Sequence, residues 1–283
     1  MTVSGERGHD SDFAIERLGP GDVPQNVALS RSVGWKDVES EWRVLHEAAE
    51  VRGVWRAGHV VAQCALGDYG TAATLAKMVV AEELRGQRLG ARLLDGFLAE
   101  ADARGTPVGL CATEPGRPLY ASRGFEISGE LLILFGTSSL SGTELDGSVV
   151  PLPGVTDAIA LDREFSGCDR ARMMRARFSE SSLRLMLANG RGFGLATPQG
   201  EGTLVGPILA DDAEGARQLA AALLSRISGP LRLDVPLEHS AFRQWLVGAG
   251  LREVSQRVEM TRGSARSPWQ VPARFALATQ AWG

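Results

Sequence analysis

The chain is poor in the residues that would mark it as several kinds of protein. Of its 283 residues only three are cysteine (Cys64, Cys111, Cys168) and four are histidine (His9, His46, His59, His239). An odd number of widely separated cysteines fits reduced thiols in a cytosolic protein and no disulfide framework. The histidines are scattered and have no cysteine nearby at metal-ligand spacing, which argues against a zinc site. Lysine is almost missing, with only Lys36 and Lys77, so arginine carries the positive charge. There is no basic excess: 30 basic against 34 acidic residues leave a net charge of −4, against general binding to nucleic acid or an anionic membrane. Long apolar runs are absent too; "LLILF" at 131–135 is far too short to span a bilayer, and the polar opening "MTVSGERGHDSD" does not read as a signal peptide. No G-x-S-x-G elbow and no G-x-x-x-x-G-K-[ST] loop occurs. "GRGFG" at 190–194 runs into a strand-like segment rather than a helix, so it reads as a turn.

What is present is alternating α/β periodicity, in a chain long enough for two domains. "FAIERL" (13–18) reads as a strand, "VPQNVALSRSV" and "VESEWRVLHEAAE" as helices, and 51–57, 59–67 and 72–80 as three strands. Leu89, Leu93, Phe97 and Ala101 then recur every four residues, with Leu94 and Leu98 beside them, as in a helix covering a sheet. A strand at 108–113, a short helix at 115–123 stopped by Gly124, and the strands "FEIS" and "ELLILFG" complete the unit. "GTSSLSGTELDGSVV" at 136–150 has linker composition. Beyond it the strand-helix-strand-helix order recurs. Gly124 lies 34 positions after Gly90, and Gly250 lies 35 after Gly215, which points to an internal duplication. The expected boundaries are a disordered tail at 1–12, a first domain at 13–136, a linker at 137–150, a second domain at 151–263, and a tail at 264–283 packing back on the body.

The stretch "LRGQRLGARLL" (84–94) carries the chemistry. A strand that enters a glycine-containing turn and then a helix presents free backbone N–H groups and the positive end of the helix dipole to an anion. Gly86 and Gly90 leave the backbone accessible, and Arg85 and Arg88 add charge whose geometry suits phosphate oxygens. A surface turn with solvated arginines has the same appearance. The downstream segment "ATEPGRPLYASRGF" (112–125) separates the two readings.

Together the two segments resemble the GNAT family of acyl-CoA-dependent N-acetyltransferases, over roughly residues 13–135. Arg85-Gly86-Gln87-Arg88-Leu89-Gly90 matches the family's pyrophosphate loop, Arg/Gln-x-x-Gly-x-Gly/Ala, except that Arg88 replaces a glycine. Leu119-Tyr120-Ala121-Ser122-Arg123-Gly124-Phe125 matches its later Leu-Tyr-x-x-x-Gly-Phe helix. The resemblance implies a mixed α/β fold of the acyl-CoA N-acyltransferase type, with acetyl-CoA as cosubstrate and no metal. It implies that the strand bearing Met78 and Val80 splays from its neighbour, so that their backbone groups meet pantetheine and the thioester carbonyl. Backbone N–H groups of Arg85, Gly86, Gln87, Arg88, Leu89, Gly90 and Ala91 hold the pyrophosphate, and Thr113 stands where an asparagine often touches pantetheine. Tyr120 protonates the departing thiolate; the alternative is a core aromatic packed on Phe125. Trp35 lines the acceptor site or caps a loop, Trp42 reads as core, and Asp68 is a further polar candidate. No general base is evident.

In the second unit "ADDAEG" (210–215) replaces "RGQRLG", putting Asp211 and Asp212 where a pyrophosphate would need positive charge, and Leu246 replaces Tyr120. The chain is similar to bacterial two-domain GNAT proteins with one active and one degenerate half. The second half is expected to wall the acceptor cleft, with Asp169, Arg170, Arg172 and Arg175 on a basic segment facing an acceptor or solvent. The implied function is acetyl transfer to an amine, most simply of a small molecule, by direct attack in a ternary complex in the cytoplasm. The partners exclude nucleic acid and membrane, and the protein is a monomer or homodimer. The alternative from another class is a non-catalytic acyl-CoA sensor or scaffold.

Overall fold

The computed structural model describes residues 13–140, 147–263 and 272–282. Its elements repeat one order twice. The first unit contains β1 (Ile15–Leu18), α1 (Val23–Ser32), α2 (Glu39–Ala48), β2 (Glu50–Arg56), β3 (His59–Asp68), β4 (Ala73–Val80), α3 (Leu89–Ala103), β5 (Val108–Ala112), α4 (Arg117–Ala121) and β6 (Glu126–Gly136). The second contains β7 (Val149–Pro151), α5 (Val155–Ser166), α6 (Ala171–Glu180), β8 (Leu183–Leu187), β9 (Gly192–Gln199), β10 (Gly202–Ala210), α7 (Ala213–Leu224), β11 (Leu231–Pro236), α8 (Ser240–Gly248) and β12 (Leu251–Arg262). A last strand, β13 (Arg274–Ala276), follows. The expected pair of strands "FEIS" and "ELLILFG" is one continuous strand, β6. The expected disordered tail at 1–12 lies outside the described residues, as do 141–146 of the linker and 264–271 of the C-terminal tail.

All the strands join one mixed sheet, ordered β1-β2-β3-β4-β5-β12-β6-β11-β10-β9-β8-β7, with β13 on β10. The two units have exchanged their last strands. β12, from the second unit, lies antiparallel between β5 and β6, and β6 lies beside β11 of the second unit. The core follows the helical stripes. Leu89, Leu93, Leu94, Phe97, Leu98 and Ala101 of α3 are all buried against the sheet, as are Ala216, Leu219 and Leu223 of α7. Ile227, which continues that second stripe in the sequence, lies beyond the end of α7 and is only partly buried. Because the exchanged strands belong to both cores, each unit contributes a wall to the other.

The described part of the C-terminal tail packs inward. Phe275, Leu277, Ala278 and Trp282 are buried. The Trp282 carbonyl accepts a hydrogen bond from Tyr69 Oη at 3.2 Å, and Arg177 Nη2 donates to the Ala278 carbonyl at 2.7 Å.

Candidate active site

The site begins with an irregularity in β4. Its register with β3 runs Leu66↔Leu75 and Ala65↔Ala76, then shifts to Gln63↔Val79 and Ala62↔Val80. The slack is taken up at Lys77, whose φ of 53° lies in the left-handed region. A bulge of this kind bends a strand and re-aims its backbone groups. On the other side β4 pairs with β5 only at Ala73, Thr74 and Leu75. Beyond Leu75 the two parallel strands part, and the edge of β4 from Ala76 to Val80 that faces β5 has no strand partner among the described residues. Met78 and Val80 therefore lie on the lip of a wedge in the sheet.

The loop after β4 opens beside that wedge. Arg85 and Gln87 spend their backbone N–H groups on turn hydrogen bonds, to Glu82 O (3.2 Å) and Leu84 O (3.4 Å). The N–H groups of Gly86, Arg88, Leu89, Gly90 and Ala91 have no acceptor among the described residues. They surround the start of α3, where the helix dipole adds to their attraction for an anion. Gly86 has φ +81°, and Arg88, the N-cap of α3, has φ 62° and ψ 11°. The family's glycine suits that conformation, and here an arginine adopts it. The Arg85 guanidinium is mostly exposed and lies 3.7 Å from Glu82 Oε1. At Gly90 a Cβ would meet Val80 Cγ2 at 3.4 Å, Leu119 Cδ2 at 3.6 Å and Met78 Sδ at 3.8 Å. This one position thus ties the loop to β4 and to α4.

Tyr120 is on α4, which follows a turn whose N-cap is Thr113. The ring is buried and packs edge-on against Phe125, with centroids 5.9 Å apart, so the core contact and the site location coexist. Its hydroxyl has no hydrogen-bond partner among the described residues. Burial raises its pKa, reinforced by the nearby Cys64 thiol, and keeps the phenol protonated at neutral pH. Cys64 lies at the register shift and donates to the Ala76 carbonyl at 3.6 Å. A Cβ at Gly116 would meet Tyr120 Cε2 at 3.1 Å and Thr113 Oγ1 at 3.3 Å, which brings Thr113 to the same end of the wedge.

Two sequence candidates need correction. Asp68 lies at the opposite end of the β3–β4 hairpin, paired with Ala73, and its exposed carboxylate binds Arg104 at 2.9 Å. A polar residue at a strand end carries no information about which end of the strand opens. In the basic segment of the second unit only Arg170 departs from the expectation of a group facing acceptor or solvent, while Asp169, Arg172 and Arg175 are exposed. Arg170 is buried in a bidentate pair with Asp162, Asp169 pairs with Arg163, and Arg172 donates to the Glu47 carbonyl.

The structure adds three charged residues that sequence reading passed over. Lys77 Nζ, at the bulge, binds Asp37 Oδ1 at 2.7 Å and lies 3.7 Å from Glu41 Oε2. It also lies 5.7 Å from the centre of the Trp35 ring and 5.8 Å from that of Trp42. Trp42 is fully buried, as expected, and its Nε1 donates to Asp37 Oδ2 at 3.0 Å. Glu41 accepts a hydrogen bond from Gln199 of the second unit, and burial raises its pKa despite the opposing pull of Lys77. The signal was present in "WKDVESEW", where Asp37 and Glu41 are four apart at the start of a helix.

The second unit has the same wedge, but it is filled. β10 and β11 pair only at Thr203↔Leu231 and Leu204↔Arg232. β13 then pairs with β10 at Ile208↔Ala276 and Leu209↔Arg274, and Leu277 N–H donates to Asp234 O at 2.9 Å. Gly206 lies so close to the Leu277 carbonyl that no Cβ would fit there. At the start of α7, Asp212 Oδ1 accepts from the Gly215 N–H at 2.8 Å, so the chain's own carboxylate occupies the anion position. Gly215 is sealed by Leu187, whose Cδ1 would be 2.7 Å from a Cβ there. Leu246 is fully buried in place of the tyrosine. No helix among the described residues is long and apolar enough to cross a membrane. No group of metal-ligating side chains occurs among them either.

A bulged, splayed strand followed by an open anion loop and a tyrosine-bearing helix defines the acyl-CoA N-acyltransferase class of fold. Comparison with known proteins agrees, twice over in this chain. Residues 48–127 and residues 158–271 each match an acetyltransferase (GNAT) domain family. The chain is 26% identical over 266 residues to YitH of Bacillus subtilis (strain 168), described as an uncharacterized N-acetyltransferase, covering 91% of this chain and 94% of that one. A putative acetyltransferase from Pyrococcus horikoshii superposes with a TM-score of 0.82 at 16% identity, covering all of both chains. A tandem GNAT protein from the clavulanic acid biosynthesis pathway gives a TM-score of 0.63 at 14% identity, covering 88% of this chain and 98% of that one. The chain belongs to the GNAT acetyltransferases, in their two-domain form, and is an acyltransferase.

Proposed function

We propose that the protein transfers an acetyl group from acetyl-CoA to the amine of a small molecule by direct attack in a ternary complex, and that only the first unit carries out the chemistry. The supporting observation is the contrast between the two wedges: that of β4 and β5 is open beside free N–H groups, whereas that of β10 and β11 is filled by β13 and capped by Asp212. Acetyl-CoA supplies an activated acyl carbon and a thiolate leaving group. The N–H groups at Gly86 and at Arg88 to Ala91 bind the pyrophosphate, and the edge of β4 near Met78 and Val80, with Thr113, holds the pantetheine arm. Preorganised backbone N–H groups on that edge polarise the thioester carbonyl. The amine attacks from the side of α1 and α2, where Trp35 offers a half-buried face. Tyr120 gives its proton to the thiolate; the burial that holds the phenol protonated also penalises an unprotonated thiolate beside it. The protein acts in the bacterial cytoplasm, as a monomer or homodimer.

The test is calorimetry with acetyl-CoA, then release of free thiol with a panel of amines. Binding with thiol release supports the reading. Binding without release for any amine leaves a sensor or scaffold, and no binding at high micromolar ligand removes the assignment.

A further inference from the structure

We propose that the guanidinium of Arg177, together with the side-chain amide of Gln280, binds a small organic carboxylate at the junction of the two units. Neither residue belongs to the acetyl-CoA site proposed above, so this second site stands or falls separately from it.

Arginine is buried at several places in the chain, and elsewhere its charge is matched. Arg170 grips Asp162 through two hydrogen bonds, and Arg274 grips Glu259 and Arg232 grips Asp234 in the same way. Arg177, on α6, is only 7% exposed and forms no ion pair among the described residues. A guanidinium has five N–H groups to place. Here Nη2 donates to the Ala278 carbonyl at 2.7 Å, and the fully enclosed Nε has no acceptor. The acidic groups that face Arg177 are committed elsewhere or point away. Asp234 on β11 holds Arg232, Glu41 on α2 accepts from Gln199, and Glu180 at the end of α6 is exposed. Burial pushes the Arg177 pKa down to about 10 despite their pull, so the group is still a cation at neutral pH. A buried cation without a close counter-charge is destabilising until an anion reaches it.

The C-terminal tail supplies the second half of the site. Ala278 lies against Arg177, and the Trp282 carbonyl accepts from Arg170 Nη1 at 3.4 Å. The tail therefore runs along α6, and Gln280 falls between these two contacts. Its Nε2 is enclosed and also lacks an acceptor. Two enclosed donors on elements that pack together, one of them cationic, call for an anion with two oxygens. A carboxylate fits: it pairs with the guanidinium as Asp162 does with Arg170, and still has lone pairs for the amide. The position is an inter-unit one, because α6 packs against α2 of the first unit.

Acetate, succinate and benzoate are the probes, with acetamide and succinamide as neutral controls and inorganic phosphate as a rival anion. Each is titrated into the full chain in carboxylate-free buffer. At least one carboxylate should bind with a Kd of about 1 mM or tighter and raise the melting temperature in proportion to the logarithm of its concentration, and the amides should do neither. Arg177→Met should weaken that binding about ten-fold or more. Arg177→Lys, which keeps the charge and loses the fork, carries the comparison if the first variant does not fold, and should also bind less tightly than wild type. Gln280→Ala should weaken binding by a smaller factor. The proposal is overturned if no carboxylate binds, if the amides bind as well, if phosphate alone binds, or if Arg177→Lys binds as wild type does. None of these readings involves acetyl-CoA, so failure here leaves the proposed function untouched, and failure of acetyl-CoA to bind leaves this site untouched.

Discussion

Replacing Arg88 with glycine tests the backbone argument for the anion loop. Arg88 adopts φ 62° and ψ 11°, a left-handed conformation that costs a residue with a side chain about 1–2 kcal/mol. Glycine removes that cost but makes the unfolded chain freer by about 0.5–1 kcal/mol. The difference is a net gain of about 0.5–1 kcal/mol. The side chain is exposed and forms no ion pair among the described residues, and the capping bond from Arg92 N–H to the Arg88 carbonyl at 2.9 Å is a backbone contact that glycine retains. At roughly 2–4 °C per kcal/mol for a large domain, the melting temperature should rise by about 1–4 °C. If the pyrophosphate is held by N–H groups rather than by this guanidinium, the Kd for acetyl-CoA should stay within a few-fold. Differential scanning calorimetry and titration calorimetry read the two quantities separately. A lower melting temperature would refute the conformational reasoning. A rise accompanied by a ten-fold loss of affinity would show that the guanidinium itself grips phosphate.

Other substitutions probe the acid and the filled wedge. Tyr120→Phe should lower kcat by about a hundred-fold or more while leaving acetyl-CoA affinity and melting temperature nearly unchanged, because the hydroxyl makes no hydrogen bond among the described residues. An unchanged kcat across pH would reduce Tyr120 to a core aromatic. Arg274→Met should destabilise the protein by about 3–5 kcal/mol, because it removes the bidentate partner of the buried Glu259 at 2.8–2.9 Å and loosens β13. Thermal unfolding checks this, and a loss below about 1 kcal/mol would mean that β13 does not depend on the pair.

The elements were legible because each has a local cause. The four-residue recurrence of Leu89, Leu93, Phe97 and Ala101 needs only one buried face, and the glycines at 124 and 250 stop the helices where left-handed φ values, +79° and +104°, occur. The motif residues Met78, Gly90, Thr113 and Tyr120 came together because strand, loop and helix follow one another directly in the chain. What was hidden depends on distant partners. Apolar alternation makes β6 and β12 strands, but nothing in it says that each pairs across to the other unit. Nor does "RFALA" reveal that it will fill a wedge in place of a ligand. Asp211 and Asp212 were read as unfit for pyrophosphate, and Asp212 proves to be a helix cap; the same carboxylate does both. Asp37, just before α2, and Glu41, in its first turn, resemble solvated surface until the bent sheet brings Lys77 of β4 against them.

The central claim is that one of the two duplicated clefts still takes acetyl-CoA. Titration calorimetry of wild type against Gly90→Glu measures it directly, since a carboxylate at Gly90 projects into the space beside Val80, Leu119 and Met78. The account predicts one acetyl-CoA bound per wild-type chain and none to the variant, with the fold intact. Two molecules per chain, or undiminished binding to the variant, would contradict it.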